Sequence, residues 1–229
     1  MVFFDIDGTL LDHDYAEHAG VSDFYRMHSH VFEMQEADFR QVWIDLSNES
    51  FERYLAKGIT FQEQRRVRMK RLFAYAGRDL SDDEADKAFE LYLHSYRDNW
   101  RRFSDVLPCL NSMQDITLGI ISNGDYEQQV EKLVQINVRA CFAYVVTSSN
   151  ARASKPDPQI FIEACRQTGR KPEECFYVGD RLDTDAYGSN RVGMKGIWLD
   201  RTGKTHGCES SISVINSLGQ LLPIVESSH

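Results

Sequence analysis

Apolar and polar positions follow two different rhythms along this chain of 229 residues. Val2 to Ile6 is a short, nearly uninterrupted apolar run that ends at Asp7-Gly8, and it reads as a buried strand. From about Asp14 to Trp100 the rhythm is helical. Phe39, Val42, Trp43 and Leu46 recur at three- and four-residue spacing, as do Phe89, Tyr92, Leu93 and Tyr96. This stretch contains no proline, and its breaks fall near Gly58-Ile59-Thr60 and Gly77-Arg78-Asp79. Ser81 followed by Asp82, Asp83 and Glu84 reads as an N-cap and an acidic first turn. The spacing predicts a bundle of about four helices.

After Pro108 short apolar runs alternate with helical segments. Strands are expected at Ile116 to Ile121, Tyr144 to Val146, Phe176 to Val178 and Gly196 to Leu199. Helices are expected at Tyr126 to Val134, Pro158 to Gln167 and Thr184 to Arg191, with Leu218, Leu221 and Leu222 packing a last helix on the sheet. Alternation of this kind implies an α/β fold, a Rossmann-like parallel sheet with helices on both faces. The first strand cannot bury itself alone and must join that sheet. The expected organisation is therefore a core domain of residues 1–13 and 101–229, interrupted by a helical-bundle domain of residues 14–100. No internal repeat interrupts this reading.

Composition narrows the partners. Hydrophobic residues make up 42% and charged residues 27%, ordinary for a globular protein. The net charge of -9 argues against a general attraction to nucleic acid polymers or anionic membranes. No apolar run is long enough to cross a bilayer, and the N-terminus lacks a basic leader. The five cysteines, Cys109, Cys141, Cys165, Cys175 and Cys208, are scattered and form no C-x-x-C pair. Reduced thiols in a cytoplasmic protein without a zinc site are expected. The chain is expected to act as a monomer or homodimer on a small molecule.

Ligands of open parallel sheets bind at the carboxyl ends of the strands. Polar clusters occur where those ends should lie: Asp5-Ile6-Asp7-Gly8-Thr9, Ser122-Asn123-Gly124, Lys155-Pro156, and Gly179-Asp180 with Asp183 and Asp185. Crowded carboxylates repel unless a hard cation neutralises them, and Mg2+ shared between carboxylates and a substrate phosphate is a common solution. The Ser122 hydroxyl and Lys155 amine could then hold phosphoryl oxygens. Alternation along extended backbone lets Asp5 and Asp7 reach the same substrate.

These clusters resemble the motifs of the haloacid dehalogenase-like (HAD) hydrolase superfamily. Asp5-Ile6-Asp7-Gly8-Thr9-Leu10 is similar to D-x-D-G-T-L, Ser122-Asn123 to the second motif, Lys155 before Pro156-Asp157-Pro158 to the third, and Gly179-Asp180 with Asp185 to the fourth. They occur in the family's order, and the helical insertion after the first resembles the cap of one large subgroup. The resemblance implies a phosphatase in which Asp5 is the nucleophile and Asp7 the general acid and base. It implies Mg2+ held by Asp5, the Asp7 carbonyl and Asp180, with Asp185 supporting the site, and a phosphoryl group held by Thr9, Ser122, Asn123 and Lys155. It also implies a cap that opens and closes over the site and selects the leaving group.

Dehalogenases of the superfamily generally lack the second aspartate of the first motif, so Asp7 favours transfer of a phosphoryl group from a small phosphate ester. A sugar-phosphate mutase shares the same aspartate pair. A phosphonatase would need a Schiff-base lysine in the cap, for which Lys57, Lys70 and Lys87 are available. A non-catalytic binding protein would be expected to have lost part of the set Asp5, Asp7, Lys155 and Asp180. Gly58-Ile59-Thr60-Phe61 and Gly179-Asp180-Arg181-Leu182 resemble the nucleotidase and acylneuraminate-phosphatase branch, which suggests a nucleoside 5'-monophosphate as one substrate. Asp183 is expected to cap the helix that follows it, and Arg65, Arg66, Arg68, Lys70 and Arg71 to form a solvated helix face.

Overall fold

A computed structural model describes residues 1–56, 58–203 and 212–227. Contacts divide the chain into two compact units, Met1–Asp12 with Arg101–His229, and His13–Trp100. His13 is the first residue of a helix, so it falls with the helical unit rather than with the core.

The first unit is built on six parallel strands. They are β1 (Val2–Phe4), β2 (Leu118–Ser122), β3 (Tyr144–Thr147), β4 (Phe176–Gly179), β5 (Lys195–Leu199) and β6 (Ser213–Ile215), in the order β3-β2-β1-β4-β5-β6. β1 lies at the centre, with Val2 opposite Leu118 on one side and Phe176 on the other. Every residue of β1, β2 and β4 is buried, as expected of strands covered on both faces. The pleat sends Phe3, Ile121, Val146 and Tyr177 to one face, where they pack with Ile160, Phe161 and Ala164. The other face buries Val2, Phe4, Ile120 and Val178, and Phe4 meets the Phe142 ring edge-on at 5.9 Å. Gly119 is needed where β2 passes Phe3, because a Cβ there would lie 2.7 Å from the Phe3 ring.

The helices of the sequence reading are present with small differences. After the helical unit come α5 (Val106–Ser112), α6 (Tyr126–Gln135), α7 (Ser148–Ala151), α8 (Pro158–Thr168), α9 (Tyr187–Asn190) and α10 (Leu221–Glu226), following α1 to α4 below. The helix expected from Thr184 starts later. The chain first makes a π turn at Leu182–Ala186, in which the Asp185 carboxylate accepts the Arg181 N–H at 3.0 Å. Asp183 caps neither turn, since the N-cap positions are Arg181 and Ala186. Strand β6 has no counterpart in the sequence reading.

The second unit contains α1 (His13–His28), α2 (Glu36–Leu55), α3 (Phe61–Ala74) and α4 (Asp82–Asp98). Capping boxes start α3 (Thr60 with Glu63) and α4 (Ser81 with Glu84). Phe24, Phe39, Trp43, Met69 and Leu72 are fully buried. On α3, Arg66 pairs with Asp82 and Asp86, Lys70 with Asp82, and Arg71 with Glu49. Arg68 departs from the solvated face expected for this run. It lies on the buried side with Gln64 and Leu72, four residues away in either direction, stacks over Trp43 and Phe89, and bonds Gln64.

In the first unit the turn after β1 is anchored from a distance. Arg201 donates to the carbonyls of Gly8 (3.3 Å) and Thr9 (2.7 Å) and to both Asp105 oxygens. Burial pushes the Asp105 carboxyl up, but hydrogen bonds from Arg201, the Leu218 N–H and Ser217 outweigh it and hold the group below its ordinary value. A depressed carboxyl stabilises the fold above the unfolded-state value of about 3.9 and loses that effect as pH falls through the folded value. Asp105→Asn should therefore cost about 1–2 kcal/mol at neutral pH in urea unfolding. The gap to wild type should close below about pH 4; a gap that widens in acid would contradict this account.

Candidate active site

The strand order reverses between β1 and β4, and the carboxyl ends of two such strands are where an open parallel sheet binds its ligand. Asp5 follows β1 directly, its N–H bonded to the Val178 carbonyl at 2.9 Å. Asp180 follows β4. Two glycines let these acids close up. Gly8 has φ +81°, and a Cβ there would collide with the Asp180 carboxylate; a Cβ at Gly179 would collide with that of Asp185.

Lys155 is the hub. Its peptide bond to Pro156 is cis. Its ammonium donates at 2.7 Å to Asp5 Oδ1, Asp185 Oδ1 and the Tyr177 hydroxyl, which uses all three of its protons. The single Tyr177 proton has the Ile121 carbonyl at 2.8 Å and Asp185 Oδ1 at 3.2 Å as acceptors. Burial would lower the Lys155 ammonium, but the charges of Asp185 and Asp5 outweigh it and hold the group above its ordinary value. Burial pushes Asp5 up to about 6 against the pull of Lys155, with Asp185 and Asp7 adding repulsion. Burial, and then Asp5 and Asp185, push Asp180 well above the usual carboxylate range.

The second cluster lies on α6 and the loop after β2. Lys132 donates to both Asp7 oxygens at 2.7 Å. The two protons of Gln129 Nε2 have Ser122 Oγ at 2.7 Å, the Asn123 carbonyl at 3.1 Å and Asp7 Oδ2 at 3.3 Å as acceptors. The Asn123 side chain clamps the Lys155 backbone, accepting its N–H at 2.7 Å and donating to its carbonyl at 3.0 Å. Thr9 is buried, and its hydroxyl has no hydrogen-bond partner among the described residues.

Asp5, Asp180 and Asp185 each offer an oxygen within 4.8 Å of the others. Asp180 Oδ1 is buried without a hydrogen-bond partner among the described residues. One ammonium against three carboxylates leaves excess negative charge, and an all-oxygen set with an unpartnered oxygen fits a small hard cation. Asp183 is not in this group.

The haloacid dehalogenase-like hydrolase family matches residues 1–193. The chain belongs to that family. The HAD-like chain is 43% identical to a glyceraldehyde 3-phosphate phosphatase of Methanopyrus kandleri over 101 residues, 43% of either protein, so that match spans less than half of each. It is 28% identical to N-acylneuraminate-9-phosphatase of Homo sapiens over 88% of this chain and 83% of that one. It is 27% identical to pyrimidine 5'-nucleotidase PynA of Streptococcus pneumoniae over 87% and 83%. Among solved structures, a HAD hydrolase of Bacillus subtilis bound to magnesium superposes with a TM-score of 0.82 at 18% identity, covering 98% of this chain and 97% of that one.

Three polar residues of this HAD-like site escape sequence reasoning: Tyr177, Gln129 and Lys132. The phenol of Tyr177 is one polar atom in a strand that otherwise reads as core, and only its nearness to Gly179-Asp180 hints at a role. Gln129 and Lys132 share a helix face with one another, and nothing in their spacing says which loops that face meets.

The charge imbalance has a measurable sign. Folded Asp5 loses its proton near pH 6 and the unfolded one near about 3.9, so the folded state holds more protons in between. In chelator, the HAD-like core should gain stability as pH falls from 7 towards 5. A millimolar small divalent cation should raise Tm at pH 7 and remove most of that slope. Asp180→Asn should raise Tm in chelator and abolish the cation's effect, in a thermal melt at both pH values. No response of wild-type Tm to the cation would contradict the fit.

Proposed function

We propose that this hydrolase is a magnesium-dependent phosphatase that acts on a small phosphomonoester by phosphorylating Asp5 and then passing the group to water. The observation that carries the proposal is the Lys155 ammonium between Asp5 and Asp185, beside the unpartnered oxygen of Asp180. A site for an anion and its cation accounts for that combination of one fixed ammonium and excess carboxylate. Asp5, the Asp7 carbonyl and Asp180 would hold Mg2+, with Asp185 supporting them. The ion would supply positive charge to the phosphoryl oxygens and to the crowded carboxylates.

The chain's own groups carry the steps. An Asp5 oxygen attacks phosphorus and the ester P–O bond breaks. Asp7 gives its proton to the departing oxygen. Asp7, now a carboxylate, takes a proton from water, whose oxygen bonds to phosphorus as the P–O bond to Asp5 breaks. Inorganic phosphate leaves and Asp5 is restored. Ser122 Oγ holds a phosphoryl oxygen, Lys155 Nζ takes another in exchange for one of its three present acceptors, and the Thr9 hydroxyl, without a partner among the described residues, is a further donor. Asn123 serves the phosphoryl group by fixing the Lys155 backbone.

Competing chemistries have less support. A dehalogenase has no use for Asp7, because a halide leaves without a proton. A Schiff-base phosphonatase needs a desolvated neutral lysine. Lys87 is exposed, Lys70 is bonded to Asp82 at 2.7 Å, and Lys57 lies outside the described residues. Cys109, Cys141, Cys165 and Cys175 are free thiols, which suits a cytoplasmic protein, and Cys208 lies outside the described residues. No helix of the described residues is long and apolar enough to cross a membrane.

Nucleoside 5'-monophosphates are the proposed substrates, with sugar phosphates as the second choice, in keeping with the relatives that align along most of the chain. Activity against a panel of phosphate esters should require magnesium, and excess chelator should abolish it. Asp5→Asn should reduce turnover to background on every ester. A hundredfold preference in kcat/KM for phosphoglycolate or a hexose phosphate, about 2.7 kcal/mol in transition-state binding, would overturn the nucleotide assignment. Undiminished turnover by Asp5→Asn would overturn the mechanism.

A further inference from the structure

Lys132 is a buried lysine, 4% exposed, on a helix that could have turned it to water. Its ammonium instead meets both oxygens of one carboxylate, Asp7, at equal distances of 2.7 Å. Three residues earlier on the same helix face, the Gln129 amide nitrogen touches both Asp7 Oδ2 and Ser122 Oγ. One turn of α6 thus holds the group proposed as general acid and base and a hydroxyl proposed to hold the phosphoryl group. The spacing between the two is set by that turn.

Stability is a poor explanation for this arrangement. Burying an ammonium is costly, and an ion pair seldom returns more than that cost. The Asp7 side chain is 27% exposed, so water can reach its carboxylate if the lysine is removed. What the pair does supply is direction. A bidentate, charge-assisted contact fixes both side-chain torsions of Asp7, whose backbone makes only an isolated bridge to Leu11 and belongs to no strand of the sheet.

We infer that Lys132 is a positioning residue for Asp7, holding its carboxylate at the height where it can reach the ester oxygen, with Gln129 tying that position to Ser122. The inference rests on the phosphatase reading above. Proton transfer demands hydrogen-bond reach, and a displacement of about 1 Å can cost a hundredfold in rate. The loss must depend on the leaving group, because an alcohol needs the proton of Asp7 and an activated phenol hardly does.

The test compares an alkyl phosphate with 4-nitrophenyl phosphate in magnesium buffer, with single-turnover release of alcohol or nitrophenolate reporting the first step alone. Lys132→Met should slow alcohol release about tenfold to a hundredfold, leave nitrophenolate release within about threefold of wild type, and leave KM and inhibition by vanadate unchanged. Lys132→Arg should recover most of the loss. If Lys132→Met does not fold, Lys132→Gln should show the same leaving-group selectivity. Equal losses on both esters, or wild-type alcohol release, would overturn the inference. Asp7→Asn serves as the reference. If it shows the leaving-group signature and Lys132→Met does not, only the inference fails. If Asp7→Asn releases alcohol at the wild-type rate, the general-acid reading fails and the role of Lys132 falls with it.

Discussion

The buried Lys155 ammonium organises the carboxylate cluster of the site. Lys155 Nζ makes three bonds of 2.7 Å to residues far away in sequence, and it can be buried only because Asp5 and Asp185 meet it there. The converse also holds. Asp5 and Asp185 can approach one another because the ammonium lies between them. The balance is incomplete: Asp180 joins the cluster with an oxygen that has no hydrogen-bond partner among the described residues. A phosphate ester, itself an anion, could not approach such a site without further positive charge. Under the proposed phosphatase reading, metal, lysine and substrate would be parts of one electrostatic problem.

The sheet makes this crowding possible. β1 and β4 lie side by side at the point where strand order reverses, so the loops leaving them face each other. Side chains on those loops would fill the space, and Gly8 and Gly179 leave it open to the carboxylates of Asp180 and Asp185. Arg201 and Asp105 hold the first of these loops from outside the site through the Gly8 and Thr9 carbonyls. The placing of the loop that carries Asp5 and Asp7 therefore depends on an ion pair outside the carboxylate cluster.

Much of this was legible in the sequence, for physical reasons that also mark the boundary of legibility. β1, β2 and β4 are uniform apolar runs, and the glycine–aspartate clusters that end them are local, so both strands and loop chemistry could be read in order. Ser81 declares its helix through an N-cap and an acidic first turn, and the break read at Gly58-Ile59-Thr60 is where a second capping box starts α3. What was not legible depends on contacts between distant segments. Lys132 and Asp7 are 125 residues apart, and Tyr177 reads as core until its hydroxyl is seen between Lys155 and the Ile121 carbonyl. Arg68 reads as one more solvated cation until α3 is turned against Trp43 and Phe89. The π turn at Leu182–Ala186 displaced the expected helix because Asp185 is drawn inward to Lys155, which propensity cannot foresee. Strand β6 has three residues and carries too short a pattern to register.

The central claim is that Asp5 itself carries the phosphoryl group. Enzyme mixed with excess aryl phosphate and magnesium, quenched in acid at successive milliseconds and reduced with borohydride, reports it directly. An acyl phosphate on Asp5 would be reduced to homoserine, and peptide mass analysis should find that conversion at Asp5 and at no other aspartate, rising as fast as the phenol is released. Release of phenol and inorganic phosphate with Asp5 unconverted at every time point would contradict the account.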